Sequence, residues 1–288
     1  MRNATVHRKE ASDMRSSREK LDDWSEQLGL DLIGVASMDG YRDVEPQWNP
    51  LSIFPEARSV IVLAKSVPRS YYRGMEEGTL WMRVNRYLHP KYGYRLCRIL
   101  EDNGFLSVPC TLMAQERWPD GVVFKEGKPA PNVAPDVRVA AQLAGLGEIG
   151  YNGMLLTPQF GARQALGMLI TEAEIEPDRP FPSGELCDRE QCRACVAGCP
   201  AGALSGPPEK MTVGDQTVAV AHLNTAACRF CVNGVYPDTS CDEAPPNRLA
   251  AACTRACIAR LEDEGVLSNG YKKPFRRRPA WGFGSFAG

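Results

Sequence analysis

The chain has 288 residues, and its 34 Lys plus Arg nearly balance 35 Asp plus Glu, for a net charge of -1. That balance argues against a general polyanion binder and disfavours nucleic acid as a partner, while a hydrophobic content of 43 % excludes wholesale disorder. No apolar run approaches the ~18–20 residues of a membrane span, and the first 20 residues carry neither the apolar core of a secretory signal nor a twin-arginine pair; the sequence predicts a cytoplasmic protein without a membrane partner.

In chain order, residues 1–16 are polar and predict a flexible N-terminus. SREKLDDWSEQLG, from Ser17, suits an amphipathic helix with Ser17 as N-cap and Gly29 as its stop. LDLIGVASM and ARSVIVLAKSV read as strands, the second apolar enough to be buried in a sheet. Residues 76–103 carry a helical period that His89-Pro90 is expected to break, and FLSVPCTLM follows as a strand. Residues 115–135, with four prolines, read as loop. RVAAQLAGL, Arg138 to Leu146, predicts a short helix that enters a stretch with six glycines, then a strand around Leu166–Thr171. These elements predict an α/β (α+β) sheet domain over residues 17–178 and a small metal-stapled module over 179–264. Residues 265–288 form a basic and aromatic tail. Lys272, Lys273, Arg276, Arg277 and Arg278 in that tail suit either a solvated terminus or an RNA or carrier contact.

Eleven cysteines are present, nine of them between Cys187 and Cys257. A reducing cytosol disfavours a disulfide framework, so the cluster points to metal. Cys97 and Cys110 stand apart and read as buried small hydrophobes. Cys192, Cys195, Cys199 and Pro200 form C-x2-C-x3-C-P, the core of a bacterial ferredoxin run, preceded by Cys187 after a gap of four residues where two are usual. The second group is Cys228, Cys231, Cys241, Cys253 and Cys257. Cys253 and Cys257 fall one turn apart on one face of the helical stretch RLAAACTRACIARLEDEG. The position three residues before Cys253, where a ferredoxin return motif has a cysteine, is Ala250. Zinc also takes four cysteines but favours separated C-x2-C knuckles, whereas three crowded thiolates suit a cubane. Two [4Fe-4S] clusters are therefore expected. In a two-cluster ferredoxin the cysteine before proline serves the other cluster. On that pattern Cys187, Cys192, Cys195 and Cys257 hold one cluster, and Cys199, Cys228, Cys253 and one of Cys231 or Cys241 hold the other.

The order of an α/β domain, then AGLGEIGYNGMLLTPQFGAR, then ITEAEI, then C-x2-C-x3-C-P-A-G-A-L resembles the epoxyqueuosine reductase family and the corrinoid core of reductive dehalogenases. The resemblance covers roughly residues 20–260. It implies a nitroreductase-like cobalamin domain fused to a ferredoxin-like two-[4Fe-4S] module. It also implies base-off cobalamin between the sheet domain and the nearer cluster, and electrons passing from an external low-potential donor of ferredoxin or flavodoxin type through the far and near clusters to cobalt. The expected substrate is a small molecule or a modified nucleoside. An acidic proton donor is expected upstream of AGLG, where Asp136 is the carboxylate of PAPNVAPDVRVAAQLAGLG. Against that resemblance, the sequence is expected to lack the long C-terminal repeats of larger epoxyqueuosine reductases and the export signal of respiratory dehalogenases.

Read from the residues alone, Gly147, Gly150 and Gly153 remove side chains, which either lets backbone amides approach a bulky ligand or simply permits tight turns. Glu148, Tyr151 and Asn152 are the polar candidates in that segment for contacts to a cofactor. Two alternatives stand beside the reductase: an electron-transfer or corrinoid-handling protein with no substrate of its own, and a flavin in the sheet domain.

Overall fold

The computed structural model describes residues 18–46, 48–77, 84–110, 133, 135–231 and 247–275. Four strands, β1 (Leu32–Ser37), β2 (Ser59–Ser66), β3 (Ser107–Cys110) and β6 (Gln164–Thr171), form one sheet in the order β1-β2-β6-β3. Every pairing is antiparallel, with Ile61 opposite both Val35 and Leu169. β2 is central and covered on both faces, which is why it reads as an uninterrupted apolar run. Ile61 and Leu63 point to a core shared with helix α1 (Arg18–Leu28) and helix α3 (Val84–Asp102), through Leu21, Leu28, Leu96 and Leu100. Val60 and Val62 point the other way, to Val137, Ala140, Ala141 and Leu143 of helix α4 (Val137–Leu143). The result is a mixed α/β fold of three layers.

The stop signal holds for α1, which ends where Gly29 takes φ 65°; the expected N-cap Ser17 lies outside the described residues. Two expectations fail. The helix over 84–102 runs through Pro90. Pro90 removes one backbone donor, but the remaining ladder and the packing of Leu96 and Leu100 keep the helix whole. The final helix, α7, spans only Ala252–Asp263, because residues 248–251 fold into a turn in which Ala251 donates to the Arg248 carbonyl at 3.0 Å. FLSVPCTLM is partly outside the described residues, as are the loop expected at 115–135 (apart from 133 and 135) and the run Arg276–Arg278.

The strand pair β7 (Glu209–Val213) and β8 (Gln216–Val220) lies inside the cysteine segment yet belongs to the sheet domain's packing. Val213 and Val218 join the α4 core, and Gly214 at the hairpin tip abuts Leu143. MTVGDQTV carries the alternation and turn residues of a hairpin, so this element was readable. Helix α7 is tied to the domain as well: Ile258 and Leu261 pack with Val67, Leu156 and Tyr72 of helix α2 (Arg69–Glu76), and the Tyr72 hydroxyl donates to the Leu249 carbonyl at 3.1 Å. The cysteine-bearing segment is thus built onto the sheet domain along two faces.

Candidate functional site

Eight of the nine clustered cysteines are described; Cys241 lies outside the described residues. Cys195 rides on the one-turn helix α5 (Ala194–Ala197), and Cys228 on α6 (Thr225–Arg229), whose N-cap Asn224 accepts from the Ala227 N–H at 2.9 Å. Cys253 and Cys257 lie on α7. A Cβ on Gly198 would stand 2.6 Å from the Ala256 Cβ, so only glycine lets α5 approach α7 this closely. The thiols of Cys195, Cys228 and Cys253 are buried in one apolar cluster, with Cys187, Cys199, Cys231 and Cys257 packed against it.

Their electrostatic neighbours sort the thiols. Burial, then Cys195, Cys187 and Cys192, push the Cys257 thiol far up, with Cys253 a lesser neighbour. Burial, then Cys187, Cys253 and Cys192, push Cys195 up to about 12. Burial pushes Cys228 up to about 11, against the Arg248 guanidinium, with Cys253, Cys231 and Cys199 adding to the rise. Cys257 thus lies among Cys195, Cys187 and Cys192, and Cys228 among Cys253, Cys231 and Cys199, while Cys253 neighbours both sets. Ala250 is buried in the other core, with Leu249 and Ile258, against which Cys187 and Cys257 also pack. Among the described residues, no three His, Cys, Asp or Glu side chains close on a single metal ion. The donor set fits iron–sulfur clusters.

The glycine-rich segment lies between this centre and the sheet. It forms a small hairpin of β4 (Glu148–Ile149) and β5 (Leu155–Leu156). A Cβ on Gly147 would meet the Leu156 carbonyl oxygen at 1.9 Å, and one on Gly150 the Leu156 side chain at 2.8 Å; Gly153 closes the turn, donating to the Gly150 carbonyl at 2.8 Å. These glycines serve close hairpin packing and a tight turn, not the open backbone cradle that was one reading of the sequence. Glu148 is fully buried and accepts from the backbone N–H groups of Gly184 and Cys187 at 2.7 and 2.9 Å, so it faces the cysteine loop. The Tyr151 N–H donates to the Cys187 sulfur at 3.3 Å, and the Arg193 guanidinium stacks 4.2 Å from the Tyr151 ring. Asn152 is 2 % exposed; its Oδ1 accepts from the Met154 N–H at 3.0 Å, while its Nδ2 has no hydrogen-bond partner among the described residues. A buried donor left open is what a ligand rich in peripheral amide carbonyls, such as a corrin, requires. On this count the segment fits a corrinoid.

Asp136, the expected proton donor, is engaged elsewhere. It caps α4 by accepting from the Arg138 N–H at 2.8 Å, and its two oxygens take the Arg138 guanidinium at 3.0 and 2.5 Å. Burial alone would raise its pKa, but Arg138 and the cap N–H groups hold it below the ordinary 3.8. Both carboxylate oxygens are thus committed to Arg138 and to the α4 cap. The same Arg138 donates to the Gly153 carbonyl at 2.8 Å, tying α4 to the glycine-rich turn. Arg189, partly buried, and Arg248, buried, stand beside the thiols and were missed by sequence reasoning; their signal is nearness in sequence to Cys187 and Cys253.

No protein-family model matches the chain. An epoxyqueuosine reductase of Listeria monocytogenes serovar 1/2a is 27 % identical over 219 residues, covering 69 % of this chain and 55 % of that protein. A tetrachloroethene reductive dehalogenase of Dehalobacter restrictus is 26 % identical over 208 residues, covering 68 % of this chain and 33 % of that one. The chain thus spans about half the length of the first relative and a third of the second. Among solved structures, an epoxyqueuosine reductase with an epoxyqueuosine-modified tRNA stem loop matches with TM-score 0.50 at 18 % identity, over 86 % of this chain and 82 % of that one. A reductive dehalogenase whose structure suggests a mechanism for B12-dependent dehalogenation matches with TM-score 0.52 at 18 % identity, over 84 % of this chain and 31 % of that one. Among the described residues no helix is long and apolar enough to cross a membrane. The chain is similar to epoxyqueuosine reductases and to reductive dehalogenases.

Proposed function

We propose that this chain is a reductase in which two [4Fe-4S] clusters relay electrons to a base-off cobalamin seated against residues 147–153. The packing of seven thiols around one buried apolar cluster, with Cys192 beside Cys195 and Cys257, carries the reading. Cys187, Cys192, Cys195 and Cys257 hold the near cluster, and Cys199, Cys228, Cys231 and Cys253 the far one. The partition agrees with the ferredoxin rule that the cysteine before proline, here Cys199, serves the other cluster. A bound corrinoid supplies low-potential, metal-centred reduction. Asn152 offers it a fixed amide donor, since the Met154 N–H pins the opposite end of the side chain. Tyr151 contacts the near thiols through its backbone and carries Arg193 on its ring, which puts the seat and the first group within one residue of each other. The external donor is a low-potential ferredoxin or flavodoxin. The substrate is a small molecule or a modified nucleoside, as the relative bound to a tRNA stem loop suggests.

One observation favours a second reading, a corrinoid-handling or electron-transfer protein with no substrate. Asp136 is committed to Arg138, and no other described carboxylate of the segment 129–147 takes its place. Adding cob(II)alamin to anaerobic protein separates these readings from a flavoprotein. Both corrinoid readings expect a resonance without splitting from a lower axial nitrogen, and only the reductase expects substrate-dependent reoxidation of the reduced protein. Stoichiometric tight flavin with no corrinoid binding overturns both.

A further inference from the structure

The unusual four-residue gap between Cys187 and Cys192 has a structural counterpart. Asp188 closes a turn, its Oδ1 accepting from the N–H groups of Glu190 and Gln191 at 3.1 and 2.9 Å and its carbonyl from Cys192 at 3.0 Å. The turn sends Arg189 back toward the sheet domain. There the guanidinium meets Glu148 at 2.9 Å and also reaches the Ile149 carbonyl. Glu148 uses both oxygens: Oε1 accepts from the N–H groups of Leu186 and Cys187, and Oε2 from Gly184 and Arg189. Its side chain is fully buried, and that of Arg189 is 14 % exposed. Cys187 is thus gripped twice from one short hairpin, at its N–H by Glu148 and at its sulfur by the Tyr151 N–H.

We propose that the Glu148–Arg189 pair is the positioning device of the near cluster: it places Cys187 across the longer gap and sets the charge felt by that cluster alone. The proposal rests on the reading that Cys187 shares a cluster with Cys192, Cys195 and Cys257. Burying a carboxylate and a guanidinium is costly, and pinning a loop does not require charge. Two opposite charges beside one ligand instead give two opposed handles on that cluster's potential.

The test is an EPR-monitored redox titration of full-length, anaerobically reconstituted protein, comparing wild type with Glu148→Gln and Arg189→Gln. The signal lost in Cys257→Ala identifies the near cluster. Removing the negative charge should raise the near cluster's midpoint potential, and removing the positive charge should lower it, with the far cluster unmoved in both. A Glu148→Gln protein that loses only the near cluster, at half the iron content, also supports the positioning role, and Arg189→Gln then reads the sign of the shift. Equal or same-direction movement of both clusters, or none, overturns the proposal while leaving the two-cluster reading intact. Wild-type protein with no iron or sulfide overturns that reading, and the proposal with it.

Discussion

Asp136→Asn separates architecture from chemistry at the candidate proton donor. Asparagine caps a helix about as well as aspartate, so the α4 start survives. What is lost is the counter-charge of Arg138, a side chain 11 % exposed whose guanidinium spans both Asp136 oxygens. Breaking a buried pair by removing one partner costs about 3–5 kcal/mol. At roughly 2–4 °C per kcal/mol for a chain of this size, Tm should fall by about 10 °C. Asp136→Ala should cost about 1 kcal/mol more, through loss of the cap. The loss should couple to Arg138: in a double-mutant cycle with Arg138→Met, the pair should be less destabilised than the sum of the singles. Thermal and urea melts of the reconstituted protein measure all four species. The sign with pH follows from the lowered pKa: the stabilisation is present above 3.8 and disappears as pH falls below it. An Asp136→Asn protein that melts within about 1 kcal/mol of wild type but has lost turnover would refute this reasoning and restore Asp136 as the donor.

Other outcomes follow from the same contacts. Cys257→Ala should remove the near-cluster EPR signal and spare the far one, and Cys199→Ala the reverse; if Cys199→Ala removes the same signal as Cys192→Ala, the first four cysteines close a single cluster. Gly147→Ala places a methyl 1.9 Å from the Leu156 carbonyl oxygen; it should cost at least the ~1–3 kcal/mol of an overpacked core and weaken corrinoid binding in a titration. Apoprotein should lose stability as pH rises from 9 toward about 12, because Cys195 and Cys228 keep protons that unfolded thiols have already lost. Iron-loaded protein should show only the loss from groups outside the thiol groups, among them Cys110, raised to about 12, and Cys97, Tyr72 and Tyr271, raised by burial; identical alkaline melts of the two forms would contradict thiolate ligation.

Strands were the most readable part of the fold. β2 declared itself through unbroken apolar residues because both of its faces are covered, and α1 through its glycine stop. The break expected at Pro90 did not occur, since the packing of Leu96 and Leu100 outweighs one missing donor. In the site, cysteine spacing located both thiol groups, but spacing says nothing of burial, and Arg189, Arg248 and the acceptor role of Glu148 emerge only once residues 148 and 184–189 are brought together. Glycines looked alike in the sequence whether they admit a ligand or a neighbouring strand; Leu156, which decides the matter at Gly147, lies nine residues away.

Iron and acid-labile sulfide, counted per chain on anaerobically purified or reconstituted protein, test the central claim most directly. Two thiolate groups of four predict about eight of each, as two cubanes require. About one or two zinc ions per chain with no sulfide would contradict the cluster assignment, and the electron relay with it.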